Sequence, residues 1–122
     1  MYYIQYAHVR CAGIFREAEI RDLNVDDADL SLLGDEELRF IRKCLELAEH
    51  IEYGTETLSP HVIAHYAMDL ANAFHPMYDR VRVFGDNVSP DVAKARLRFY
   101  QVTQTVLQRV LALMGMSAPE RM

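Results

Sequence analysis

Two groups of side chains in this 122-residue sequence are of types and spacings that could do chemistry. His61, His65 and Asp69 stand four apart, so a helix would bring all three to one face and could offer two imidazoles and a carboxylate to a metal such as zinc. No fourth ligand follows at a recognisable spacing, and the neighbouring Tyr66, Leu70 and Ala71 are accounted for by packing, so no metal is expected there. The second group is aromatic. Tyr3 and Tyr6 are three apart, Phe74 and Tyr78 are four apart, and Arg80 and Arg82 follow the second pair. Exposed, such rings could stack on the splayed bases of single-stranded RNA while arginines hold phosphates; buried, they would simply be core. No nucleophile motif, glycine-rich phosphate loop, dinucleotide fingerprint or zinc-protease motif is present, so catalysis by this chain alone is not expected. His75, beside Pro76, is expected at the surface.

The elements that must carry these groups read almost wholly as helix. Ile4, Ala7, Cys11, Ile14, Phe15 and Ala18 recur at three- and four-residue spacing, which predicts a helix over 3–18. Arg21 to Gly34 holds no period and collects Asn24, Asp26, Asp27, Asp29 and Ser31, as a solvated loop does. Asp35 is placed to cap a second helix, with Glu36 and Glu37 in the first turn, where the dipole favours anions. Its predicted stripe is Leu38, Ile41, Leu45, Ala48 and Ile51, and Gly54 should end it. Ser59-Pro60 and Ser89-Pro90 each pair a hydroxyl cap with a proline that needs no amide partner, and so open two further helices. The third carries Val62, Ile63, Tyr66, Ala67, Leu70, Ala71 and Phe74, and Pro76 should kink or break it by removing the amide that would bond Asn72. The fourth carries Val92, Ala95, Phe99, Val102, Val106, Val110 and Leu113, and Gly115 stops it. Val81-Arg82-Val83-Phe84 is too brief to build a sheet. The expected architecture is all-α, an antiparallel bundle of four main helices in one domain spanning 1–122.

Composition narrows the class. With 51% hydrophobic and 25% charged residues the chain should fold, and no apolar run approaches the roughly 20 residues that cross a bilayer, which predicts a soluble, cytoplasmic protein without a membrane partner. Cys11 and Cys44 are too few for a disulfide framework and are expected as buried, reduced thiols. A net charge of -5 excludes a protein that coats nucleic acid by charge alone. The halves differ, however. Residues 1–60 hold 6 Lys/Arg against 13 Asp/Glu, and residues 61–122 hold 7 against 5, so an anionic partner should meet the second half.

Tyr3-Ile4-Gln5-Tyr6-Ala7-His8-Val9-Arg10 resembles the helix that leads out of the catalytic domain in arginyl-tRNA synthetases, where a Tyr-x-Gln-Tyr-Ala-His-x-Arg string is characteristic. His65 to Phe74 followed by Tyr78 resembles the anticodon-binding helix of those enzymes, Ala95-Arg96-Leu97 the start of the next helix, and Leu113 to Met122 their extreme C-terminus. The likeness is to the all-helical DALR-type anticodon-binding domain and covers most of the chain outside residues 21–56. It implies a C-terminal piece of a class I synthetase that joins arginine to its tRNA. ATP and magnesium would serve the catalytic domain, and no cofactor would belong to this one. The partners implied are the anticodon loop of tRNA-Arg and the catalytic domain of the same polypeptide, with the domain itself monomeric.

Carried over position by position, the resemblance implies that Tyr3 and Tyr6 lie close to the anticodon, that Phe74 and Tyr78 contact loop bases, and that Met122 packs near the same loop. His8, Arg10 and Asp69 match the pattern as residues of helix packing and orientation, and Pro76 departs from the residues more usual at its position. Arg80 and Arg82 join the expected tRNA contacts as the cations nearest the second aromatic pair. Two other classes would use the same helices differently. An interaction module would bury an apolar face against a partner helix, and a metal-binding bundle would turn His61, His65 and Asp69 inward.

Overall fold

The computed structural model describes residues 2–53 and 60–121, the side chains of residues 2, 47, 48, 50–53, 60 and 61 excepted. Four helices carry the fold: α1 (Tyr2–Ile20), α2 (Asp35–Tyr53), α3 (Pro60–Arg80) and α4 (Pro90–Leu113), with a 3-10 turn at Leu30–Leu32 between the first two. No strand occurs among the described residues, and none of their helices is long and apolar enough to cross a membrane. α1 lies between α4 and α3, α2 packs on α3 and α4, and the 3-10 turn rests on α4.

Each helix is there for a local reason. On α1, Ile4, Ala7, Cys11, Ile14 and Ala18 alternate three and four apart and are all buried, a continuous stripe that drives the helix against its neighbours. The helix ends without glycine. Asp22 takes a left-handed conformation (φ 56°), Leu23 N–H bonds the Ala18 carbonyl at 2.8 Å, and Asp22 N–H bonds that of Glu19 at 3.2 Å, so the last carbonyls are satisfied. At the other end of the chain Gly115 (φ 70°) closes α4 by the same pair of bonds, Met116 N–H to Leu111 and Gly115 N–H to Ala112. Ser89 caps α4 through its hydroxyl on Val92 N–H, with Pro90 in the first turn.

Three expectations for α2 and α3 need correcting. The cap of α2 is one residue earlier than Asp35: the buried Glu37 accepts from Gly34 N–H at 2.5 Å, and Asp35 is the first helical residue. The buried face of α2 is rotated, with Phe40 in the core and Ile41 and Cys44 beside it, while Leu38 and Leu45 are exposed. Pro76 does not break α3, which continues to Arg80; Asn72 and Pro76 both face solvent, where water can take up the carbonyl that the proline leaves unbonded. Gly54, Ser59 and Met122 lie outside the described residues, as do the side chains of Ala48, Ile51 and His61.

α4 buries the expected Ala95, Phe99 and Val110 and a wider face besides: Ala93, Leu97, Tyr100, Thr103, Leu107 and Leu111 are also buried, whereas the expected Val102 and Leu113 are exposed. Tyr100 is the largest fully buried side chain, and its hydroxyl donates to the Val81 carbonyl at 2.6 Å. That bond, with Arg96 donating to the Arg82 carbonyl at 2.8 Å, ties the connection after α3 to α4. Val81 and Val83 are buried beneath it, which explains the apolar alternation that the sequence carries there without a strand. Burial raises the thiol pKa of both cysteines, Cys11 in the core and Cys44 at its edge.

Candidate nucleic-acid interface

The phase of α1 and α3 decides which side chains meet where the two helices adjoin. With Ile4, Ala7 and Cys11 pointing inward, Tyr3, Tyr6 and Arg10 form the next strip, three and four residues apart. On α3 the core positions Leu70, Ala71, Phe74 and Met77 leave His75, Tyr78 and Asp79 on the matching strip. The structure brings these six together. Tyr3 and Tyr6 are 41% and 42% exposed, and Tyr78 is half-buried.

Arg10 occupies the middle. Its guanidinium carbon lies 4.7 Å from the Tyr6 ring centroid and 4.6 Å from that of Tyr78, both within range for cation–π attraction. The same group donates to His75 Nδ1 at 3.3 Å and sits 3.9 Å from the exposed Asp79 carboxylate. His75 in turn reaches the Tyr3 carbonyl with Nε2 at 3.0 Å, and its ring lies 4.2 Å from that of Tyr3 and 5.6 Å from that of Tyr6, nearly parallel to the latter. Burial holds the His75 pKa below the ordinary imidazole value against the opposing pull of the Tyr3 carbonyl, and the Arg10 charge adds to the lowering. The result is a surface of two exposed tyrosine rings and one half-buried ring, with a cation held between them. It offers faces for stacking and donors for acceptor atoms.

The other expected contacts fall elsewhere. Phe74 is 0% exposed, and its ring is enclosed by Phe40, His75, Tyr78 and Tyr100 at 5.3 to 6.2 Å between centroids. A ring without free surface cannot receive a base, so Phe74 is the floor beneath His75 and Tyr78 rather than a contact. Arg80 points to α2 and is bonded through Nε to Glu36 at 2.5 Å. Arg82 is exposed and borders a groove of about 340 Å³ shared with Ile14, Tyr78, Asp79 and Phe84. His65 is exposed and lies 3.5 Å from the half-buried Asp69, and among the described residues no three His, Cys, Asp or Glu side chains converge on a metal position.

Sequence reading missed the centre of this cluster. His75 is 7% exposed rather than a surface residue. Arg10, expected in helix packing and orientation, is the cation shared by two aromatic rings. The one sequence signal that could have found His75 is its place three before Tyr78, on the same helix face. Three polar side chains of α1 hold residues 117–120: Gln5 Nε2 donates to Ser117 O at 3.1 Å, His8 Nδ1 to Pro119 O at 2.7 Å and Arg16 Nη1 to Glu120 O at 2.9 Å.

A helical bundle with this aromatic face on its first and third helices defines a class. The chain belongs to the DALR anticodon binding domain family, whose model matches residues 4–122. Among its relatives it is 46% identical over 123 residues to the arginine–tRNA ligase of Dehalococcoides mccartyi (strain ATCC BAA-2100), 39% over 126 residues to that of Carboxydothermus hydrogenoformans and 40% over 127 residues to that of Desulforudis audaxviator. Each comparison covers 100% of this chain and 22% of the relative, so the chain spans about a fifth of the length of these enzymes.

Proposed function

We propose that this chain reads the anticodon loop of an arginine tRNA as part of an arginine–tRNA ligase, with ATP-dependent aminoacylation performed by the catalytic domain of the same polypeptide. The single observation that carries this reading is the convergence of Tyr6 and Tyr78 on Arg10, with the exposed Tyr3 beside them against His75. An anticodon loop presents unpaired bases that can leave their stack, and a rigid helical platform can receive them on aromatic faces. Tyr3 and Tyr6 supply the exposed rings, Tyr78 a partly covered one, and Arg10 and Arg82 the donors nearest them. Arg80 contributes once it leaves Glu36. Each stack is worth about 1 to 3 kcal/mol, enough for discrimination but modest in total once ordering of the loop is deducted. An acidic domain with few phosphate contacts then depends on the rest of the enzyme for much of its tRNA affinity. In this reading the domain works as a monomer in the cytoplasm, and ATP and magnesium act only in the catalytic part.

Titration with an arginine anticodon stem-loop and with a scrambled loop tests it. Preference for the cognate loop is expected, with a shallow salt dependence, since a single strand gives a log-log slope of about -0.7 per phosphate neutralised. Equal binding of both loops with a steep slope would refute it.

A further inference from the structure

The partners of His75 leave its ring only one arrangement of protons. Arg10 is a donor without acceptor capacity, so Nδ1, 3.3 Å from the guanidinium, must present its lone pair. The Tyr3 carbonyl is an acceptor only, so Nε2, 3.0 Å away, must carry the hydrogen. The two contacts agree on the neutral imidazole protonated at Nε2. Through them one ring fixes the entry of α1 at Tyr3 and the guanidinium that lies against Tyr6 and Tyr78. Resting on the anticodon reading above, we propose that His75 is a positioning residue for RNA binding: as neutral imidazole it holds Tyr3, Tyr6 and Arg10 in the arrangement that receives a loop base.

Protonation would undo this. A second ring hydrogen on Nδ1 would face the Arg10 N–H, and two cations would meet at one edge. The groups facing His75 are the Tyr3 carbonyl and ring, the Tyr6 ring and Arg10 from α1, and Phe74 and Asp79 from α3. Asp79 alone among the charged groups favours the imidazolium, and it is exposed, whereas burial and Arg10 oppose it. The sign follows. The folded pKa is lower than the unfolded one, so the arrangement is complete above the ordinary histidine value and is lost only as pH falls through the lowered folded value.

Two measurements on the chain decide the matter. Long-range proton–nitrogen correlation of the free protein should show His75 neutral near pH 7.5, with the hydrogen on Nε2. Binding of the cognate stem-loop by the parent should hold from about pH 7.5 down to the ordinary histidine value and then weaken severalfold as pH is lowered to about 5. His75→Gln, which can donate and accept but cannot take up a proton, should bind within a few fold of the parent at the higher pH and lose the pH dependence. His65→Gln, distant from the cluster, should keep the parental slope. A charged or Nδ1-protonated His75 at the higher pH, or a parental slope in His75→Gln, overturns the proposal. No stem-loop binding by the parent at any pH would instead overturn the functional reading itself, and this role with it.

Discussion

Phe74 separates a stacking contact from a structural floor. Replacing it by alanine empties a fully enclosed site among Phe40, His75, Tyr78 and Tyr100. Loss of a buried phenyl ring costs about 3 to 5 kcal/mol, against a total stability of about 5 to 15 kcal/mol for a domain of this size. Phe74→Ala should therefore lose a large share of its stability or fail to fold. Phe74→Leu keeps most of the volume and gives up mainly the aromatic pairings, a cost of about 1 to 2 kcal/mol. Urea unfolding followed by circular dichroism gives both values, provided the slope of free energy against urea is unchanged. The leucine variant, folded at working temperature, should then bind the cognate stem-loop nearly as the parent does. A leucine variant with parental stability and abolished binding would refute the reasoning, since it would make Phe74 a base contact.

Asp22 occupies a left-handed position that glycine fills more cheaply, so Asp22→Gly should raise stability by about 0.5 kcal/mol; a lower urea midpoint would contradict this. Cys44, its thiol pKa pushed up to about 12 by burial, and Cys11, raised further in the core, should react with iodoacetamide at mildly alkaline pH only as fast as the chain opens. Rapid modification of Cys44 in the folded protein would show that its environment is misassigned.

The local signals were strong where one residue type has one physical use. Ser89-Pro90 and Gly115 mark the ends of α4 because a cap, an amide-free first turn and a left-handed closure each demand them. The α1 stripe was legible because Ile4, Ala7, Cys11, Ile14 and Ala18 keep an unbroken three- and four-residue spacing, even though Tyr3, Tyr6 and Ile20 lie exposed beside it. α2 and α4 were legible in part, because each has apolar residues on two faces and periodicity alone does not choose between them. On α2, Ile41 packs on the core as expected but Phe40 won over Leu38 and Leu45; on α4, Ala95, Phe99 and Val110 are buried as expected, with Leu97, Tyr100 and Leu107 in place of Val102 and Leu113. The fate of the aromatics was similarly open. Tyr3, Tyr6 and Tyr78 keep free surface while Phe74, four residues before Tyr78, has none, a distinction set by α2 and α4 packing over it. His75 was least legible of all, since its bonding partners Tyr3 and Arg10 lie on another helix far away in sequence.

Tyr78 tests the central claim most directly, because it joins the aromatic face to Arg10 while keeping part of its ring accessible. The decisive measurement is the affinity of Tyr78→Ala for the cognate anticodon stem-loop, beside its unfolding midpoint. A stacking platform predicts that binding weakens by about 1 to 3 kcal/mol, roughly five- to 150-fold, while the variant stays folded. A folded Tyr78→Ala that binds the cognate loop as tightly as the parent would contradict it.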